Sequence, residues 1–256
     1  MANDGHYVFH HLHPHWLDSC YVDELNQWDL SITDKYTLYQ TPLTEHSLLF
    51  YKSHNILQNI LQKSKTINAI DGYRAGGLYI EPFELFKKEF IKHNIKYEFS
   101  VVPGLKKTNN QMFYDFSKAP KKVNYLFEEE AGIEDPNGRF IQFPISTFEL
   151  YGLLKILNGL YYRMFKLDND KFSDGYSVSS EFNNDDNQNN NSFWKSDNIL
   201  SLELLNPIIL FRYKQLIKNE KFLHFLSHPK LMSVRTINEF EKLLQYFSKI
   251  KNIEYD

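Results

Sequence analysis

Cysteine, long apolar runs and an excess of charge of either sign are all scarce in this 256-residue sequence. The single cysteine, Cys20, excludes a disulfide within the chain, and we expect it to be a buried or half-buried thiol. No apolar run reaches the roughly 18 residues that a membrane-spanning helix needs. The formal charge of −3, with lysine and arginine dispersed along the chain, argues against binding to nucleic acid or anionic lipid.

The first residues, MANDGHYVFHHLHPHW, contain neither a basic start nor an apolar stretch of the kind found in signal peptides. We therefore expect a soluble, cytoplasmic protein. With 42% apolar residues, the chain can bury one substantial core, which predicts a single domain over residues 1–256. Segment 181–194 is low in complexity and almost entirely polar, which predicts a solvated loop.

Predicted strands alternate with amphipathic helices along the chain. Strands are predicted at 7–11, 66–74, 95–102, 139–146 and 221–228. Helices are predicted at 44–62, from Glu81-Pro82 onward, at 148–165, near 202–219, and after a capping box of Thr236 and Glu239. This alternation favours an α/β fold in which helices cover a parallel sheet or barrel and functional groups lie at the C-terminal ends of the strands.

Apolar residues at helical spacing predict which face two of these helices turn toward the core. In the helix at 44–62 this face consists of Leu48, Leu49, Ile56, Leu57, Ile60 and Leu61. In the helix after Glu81-Pro82 it consists of Phe83, Phe86, Phe90 and Ile91.

Four histidines lie within the seven residues HHLHPHW, at positions 10–16. On one straight strand, His11 and His15 would stand about 13 Å apart, too far for one metal ion. Pro14 tends to end a strand, so the chain can curl and bring His15 back toward His11. The sequence therefore predicts a metal site on His11 and His15, and the alternative is a polar loop whose imidazoles bond water or backbone.

Three further strand ends carry polar side chains. Arg74 precedes a glycine pair, Glu98 begins the segment EFSVVPG, and His228 lies in FLSHP. Each has an ordinary interpretation, as a turn residue, a solvated carboxylate and a loop residue. Their order, one group at each strand end, is what indicates a site.

Taken together, the stretches HLHPHW (11–16), RAGG (74–77), SVVPG (100–104) and LSHPK (226–230) resemble polysaccharide deacetylases of the chitooligosaccharide-deacetylase type, carbohydrate esterase family four. The resemblance runs from the first residues to about Phe247. Within this family, the sequence looks most like the branch found with bacterial surface-polysaccharide biosynthesis. The family fold is an irregular, incomplete (β/α) barrel, and the implied reaction removes N-acetyl groups from a sugar or glycan.

The resemblance also implies roles for individual residues. His11 and His15 match the two imidazole ligands of the family's metal, usually zinc, and His13 between them is a supporting or alternative ligand. His228 matches the histidine that protonates the leaving amine. Arg74 matches the arginine that orients the catalytic carboxylate, and Glu98 stands in a supporting position where relatives more often have Asp.

One part of the family pattern is missing upstream of His11, namely a strand whose two acidic residues supply the general base and the third metal ligand. We expect a chain that lacks this first strand: either a longer protein carries it, or the gene product is truncated, or another carboxylate substitutes, with Asp18 and Asp71 the nearest in sequence. The predicted function is a zinc-dependent N-deacetylase that acts on a sugar in surface-polysaccharide synthesis when the upstream acidic motif is supplied. The alternative is an inactive deacetylase-like protein that binds metal, or binds glycan through Trp16, Trp194 and tyrosines.

Overall fold

The computed structural model describes residues 2–29, 31–32, 34–64, 69–108, 113–165 and 195–250. These residues fall into two compact units, the first ending at Pro144 and the second beginning at Ile145. The single domain predicted over 1–256 stays a prediction. The polar segment 181–194 and Trp194 lie outside the described residues.

A mixed five-stranded sheet forms the centre of the first unit. In chain order the strands of this unit are β1 (His10–Leu12), β2 (Cys20–Val22), β3 (Gln27–Asp29), β4 (Gly72–Ala75), β5 (Tyr97–Glu98), β6 (Lys106–Thr108), β7 (Phe113–Asp115), β8 (Tyr125–Phe127) and β9 (Phe140–Gln142). The sheet order is β1-β4-β5-β9-β8, with parallel pairing from β1 to β9 and antiparallel pairing of β8. This confirms the predicted α/β class with a sheet rich in parallel strands.

The strands of this sheet are shorter than predicted. β1 covers only the last two residues of the predicted 7–11 and extends one residue further, and β5 covers only two residues of the predicted 95–102. Residues 65–68, at the start of the predicted strand 66–74, lie outside the described residues, and β4 begins at Gly72. The pairing registers place His11 beside Arg74, and Tyr73 beside Glu98.

The described residues of the first unit form two helices, α1 (Leu43–Gln62) and α2 (Glu84–Lys92), whose buried side chains are mostly phenylalanine and histidine rings. Phe83, Phe86 and Phe90 are buried as predicted, whereas Ile91 is exposed. Ring pairs such as Phe83 with Phe127 and Phe90 with Phe140 link α2 and the residue before it to the sheet strands. A core of this kind gains both from buried apolar area and from edge-to-face ring contacts.

The predicted inward face of α1 is right for Leu61 but wrong for half of its residues. Leu48, Ile56 and Ile60 are at least half exposed, and the buried residues are His46, Phe50, His54 and Leu61. The reason is a cluster of rings: Phe50 packs against His10 at 4.6 Å between ring centroids, and His54 against His93 at 4.5 Å. Packing these rings together rotates the helix by about a quarter turn relative to its aliphatic face.

Among its described residues, the second unit has a two-stranded antiparallel sheet and three helices. The strands are β10 (Thr147–Tyr151) and β11 (Lys195–Ile199), and the helices are α3 (Gly152–Phe165), α4 (Pro207–Asn219) and α5 (Val234–Phe247). Its core is formed by buried side chains of β10, of the segment between β11 and α4, and of α4 and α5. They are Phe148, Leu150, Leu200, Leu205, Ile209, Leu210, Tyr213 and Leu243.

Three predictions for this unit need correction. The helix predicted at 148–165 begins only at Gly152, whose φ of +58° turns the chain from β10 into α3. The predicted strand 221–228 is reduced to one parallel bridge between Leu226 and Ser201. The capping box of α5 pairs Ser233 with Thr236, rather than Thr236 with Glu239.

The helix predicted near 202–219 divides into a short 3-10 turn, Leu202–Leu204, and α4. Asn206 separates them, because its side chain accepts hydrogen bonds from the amides of Ile208 and Ile209 and so starts a new helix. Within the described ranges, no helix combines the length and the apolar character that crossing a bilayer requires.

Candidate functional site

The histidine segment changes direction at Pro14, as predicted. β1 ends at Leu12, and a 3-10 turn runs from Pro14 to Asp18. Alternation along the strand buries His10 and exposes His11. His10 therefore belongs to the core ring cluster, and the histidines after it form the candidate site.

His11 and His13 meet through their Nε2 atoms, which are 2.9 Å apart. The other ring nitrogen of His11, Nδ1, lies 2.7 Å from the backbone carbonyl oxygen of Arg74. A carbonyl only accepts hydrogen bonds, so His11 carries its proton on Nδ1 and presents an Nε2 lone pair to His13. This is the arrangement typical of metal-binding histidines, in which a carbonyl fixes the tautomer and the ring orientation.

His15 is buried beside this pair rather than opposite His11. Its ring centroid is 5.3 Å from that of His13 and 5.1 Å from that of Tyr36. The structure thus brings His11 together with His13, to which the resemblance gives a supporting or alternative role. His15 packs against His13, beside Tyr36.

The residues at this site fit a metal ion in part. Two imidazole nitrogens bound tetrahedrally to zinc at 2.0–2.1 Å lie roughly 3.3 Å apart, close to the 2.9 Å between the His11 and His13 Nε2 atoms. Within the described parts of the chain, however, no group of three or more His, Cys, Asp or Glu side chains is placed to hold one ion. Catalytic zinc usually has three protein ligands, so the pair needs one more.

The glycine pair of RAGG makes room for the histidines. A Cβ atom on Gly76 would lie 2.5 Å from the Leu12 carbonyl oxygen and 2.9 Å from His13 Nδ1. A Cβ atom on Gly77, which has a φ of +64°, would collide with Tyr36 and Tyr79. Glycine at 76 therefore allows β4 to end directly against the His13 ring.

Glu98, the last residue of β5, pairs with Tyr73 of β4 and is fully buried. It accepts hydrogen bonds from the Ser100 amide, at 2.8 Å, and from the Ser100 hydroxyl. The Ser100 hydroxyl oxygen in turn accepts a hydrogen bond from the Ala75 amide at 2.7 Å. Burial raises the pKa of Glu98 to about 7, against these hydrogen bonds, which lower it. Glu98 thus holds the end of β4 through Ser100.

Arg74 contributes its backbone carbonyl to the site, through the contact with His11. Its side chain is partly exposed. The role predicted for its guanidinium, orienting a catalytic carboxylate, stays a prediction.

His228 lies in the second unit and is held by a carboxylate that the sequence analysis did not single out. Both the ring Nδ1 and the backbone amide of His228 lie within hydrogen-bond distance of Glu203 Oε1, at 2.7 and 2.8 Å. The Ser201 hydroxyl donates to the other oxygen of Glu203. Burial alone would raise the pKa of Glu203, but the hydrogen bonds from His228 and Ser201 lower it below its ordinary value.

This carboxylate–imidazole pair can act in proton transfer. With Nδ1–H donated to Glu203, the exchangeable position of the neutral His228 ring is Nε2, and the side chain is 38% exposed. No sequence signal could have identified Glu203, because 25 residues separate it from His228 and its own neighbours are leucines.

The other residues named from the sequence make contacts of their own. Asp18 forms an ion pair with Lys35 at 3.5 Å, and the backbone carbonyl of Asp71 accepts hydrogen bonds from residues 96 and 97. Cys20 is exposed, so the predicted burial of its thiol is wrong. Trp16 is 49% exposed and packs edge-on against Trp28.

Comparison with protein-family models, with curated proteins and with solved structures gives no significant match.

Proposed function

We propose that this protein is a metal-dependent deacetylase that removes N-acetyl groups from a sugar in surface-polysaccharide biosynthesis. The observation that carries the proposal is the His11–His13 pair, with His11 fixed by the Arg74 carbonyl and its Nε2 presented for coordination. We also propose that the parallel strands belong to an irregular, incomplete (β/α) barrel of the polysaccharide-deacetylase type. The cytoplasmic location stays a prediction.

His11 and His13 would hold zinc, or another divalent ion, through Nε2, with His15 as the nearest further imidazole. When bound, the ion supplies Lewis acidity, which activates water and stabilises an oxyanion. The Arg74 carbonyl keeps the Nδ1 proton on His11, so that the Nε2 lone pair is the one that a metal would use.

His228 is the proposed proton donor to the leaving amine. An amine leaves poorly unless it is protonated, so amide hydrolysis needs a positioned acid. Glu203 holds the ring through Nδ1, which leaves Nε2 as the nitrogen that can give up a proton. Glu98 has a positioning role: it accepts a hydrogen bond from Ser100, which in turn holds the Ala75 amide at the end of β4.

Metal content tests the histidine site. Purified protein loaded with zinc should hold close to one ion per chain, and His11→Ala and His13→Ala should each lose it. His6→Ala is the matched control, since His6 is an exposed histidine of the same unit outside the cluster. Equal zinc content in all four proteins would refute the site, and loss in His15→Ala as well would make His15 the third ligand.

Acetate release from N-acetylated sugar oligomers tests the reaction. We expect His228→Ala and Glu203→Gln to keep their zinc while turnover falls by roughly two to four orders of magnitude for His228→Ala, the usual range for general acid catalysis. Wild-type turnover in His228→Ala would refute the acid assignment. A zinc-bound protein that releases no acetate would instead be the inactive deacetylase-like protein, the alternative function predicted from the sequence.

A further inference from the structure

A concave site whose lining includes neither His11 nor His13 lies within the first unit. It is a cavity of about 750 Å³, within the range of small-molecule binding pockets. Its charged lining consists of five carboxylates and one lysine: Glu81, Glu84, Asp115, Glu129, Glu130 and Lys118. The excess of negative charge would repel an anionic ligand and attract a cationic one.

Some of these carboxylates already have cationic partners outside the cavity. Asp115 pairs with Lys106 at 2.8 Å, and Glu129 pairs with Lys87 at 2.6 Å. In the part of the chain that the structure describes, no lysine or arginine pairs with the three remaining carboxylates, those of Glu81, Glu84 and Glu130. These three are the groups that a bound cation would neutralise.

Glu81 is built into the cavity wall. Its two oxygens accept hydrogen bonds from the Phe83 amide at 3.1 Å and the Gly132 amide at 3.3 Å, so its position is set from two separate segments. Burial raises the pKa of Glu81 above its ordinary value, and the backbone hydrogen bonds oppose that rise. A cation bound beside it would favour the ionised form.

Tyr79 indicates independently that a ligand is expected there. Its side chain lines the cavity and is only 3% exposed, yet its hydroxyl has no hydrogen-bond partner among the described residues. A buried hydroxyl without a partner is costly, and a ligand in the cavity can supply one. Tyr39, also in the lining, is 54% exposed and offers a ring face to a cation or to C–H groups.

From these observations, we propose that the cavity binds an organic ligand carrying a primary ammonium group. An ammonium donates up to three hydrogen bonds, which suits Glu81, a second carboxylate and the Tyr79 hydroxyl oxygen. A compact metal ion suits the cavity less well, because in the described ranges no three carboxylates lie close enough to share one ion. The proposal does not depend on the deacetylase assignment.

Two amines distinguish the sources of such a ligand. Spermidine is a polyamine, and glucosamine is an amino sugar of the kind that N-deacetylation releases. Isothermal titration calorimetry of the full chain with each amine should show saturable binding of one molecule for at least one of them. N-acetylglucosamine, which lacks the ammonium, should not bind, and calcium chloride should not displace the amine.

Variants locate the binding in the cavity. Glu81→Gln, and the double variant Glu84→Gln with Glu130→Gln, should each weaken amine binding about tenfold or more, the loss expected for a charge-assisted hydrogen bond. The double variant changes exposed side chains only, so it remains informative if Glu81→Gln fails to fold. Glu24→Gln is the matched control, because Glu24 is an exposed carboxylate of the same unit outside the cavity.

Binding of either amine with this pattern supports the proposal, and the identity of the bound amine shows the source. Absence of saturable binding by both amines would overturn it, as would equal affinity in the variants and the wild type. Equal binding of N-acetylglucosamine would show a neutral sugar site instead, and displacement by calcium would show a metal site.

Discussion

Replacing Gly76 by alanine should disrupt the candidate metal site from the strand beside it. The added Cβ would lie 2.5 Å from the Leu12 carbonyl oxygen, about 0.9 Å short of an ordinary contact of 3.4 Å. The oxygen belongs to β1 backbone that pairs with β4, so it cannot move without shifting the strand. The same Cβ would press on His13 Nδ1, at 2.9 Å.

We expect Gly76→Ala to lower the free energy of unfolding by about 1–3 kcal/mol, the usual cost of overpacking a well-packed position. It should also weaken zinc binding, because the ring of His13 must turn away from His11. Urea unfolding followed by tryptophan fluorescence measures the first effect, and competition with a chromogenic zinc chelator measures the second.

Gly159→Ala is the matched control for this experiment. Gly159 lies within α3, and nothing stands within 4 Å of the position of its Cβ. The same chemical change should therefore stabilise the protein by about 0.5–1 kcal/mol, through helix propensity, and leave zinc binding unchanged. If Gly76→Ala unfolds and binds zinc like the wild type, the argument that this glycine makes room for His13 is refuted.

Three further predictions follow from buried polar groups. Burial raises the pKa of Glu98 from 4.5 to about 7, so the wild type loses folding stability as pH rises through this range. The free energy of unfolding of Glu98→Gln should therefore rise relative to the wild type between pH 4.5 and 7, by up to about 3 kcal/mol. A difference in urea unfolding that does not change with pH would refute this. Burial lowers the pKa of His54 below 6.5, so the stability that the neutral ring contributes is present above pH 6.5 and is lost as pH falls. Between pH 7.5 and 5, His54→Leu should lose less free energy of unfolding than the wild type. An equal loss in both proteins would contradict this prediction. Asn206→Ala should cost about 0.5–2 kcal/mol in thermal or urea unfolding, because two amides of α4 lose their cap, whereas Asn206→Asp should retain most of the stability.

Local patterns predicted the helices of the first unit well and their orientation less well. The bounds of α1 agree with prediction to within a residue, because helical spacing and the polar residues around it are properties of the segment itself. Its buried face was mispredicted because aliphatic residues were assumed to face inward, whereas rings of His10, Phe50 and His93 packed together. Which face is buried depends on the neighbours, and those come from distant parts of the chain.

Strand lengths and the start of α3 show the same limit. The sequence of segment 148–151 is compatible with a helix or a strand. It forms a strand because β10 pairs with β11, which lies more than 40 residues later in the chain. Likewise, 221–228 reads as a strand but contributes a single bridge.

The sequence by itself determined the α/β alternation and the turn at Pro14, since a missing amide and a fixed φ act on the residue that carries them. It also placed the histidines of HHLHPHW near one another. Only the tertiary structure decided that His11 meets His13, that the Arg74 carbonyl sets the His11 tautomer, and that Glu203 holds His228. These contacts depend on the register between β1 and β4 and on the packing of segments 25 or more residues apart, which sequence spacing does not constrain.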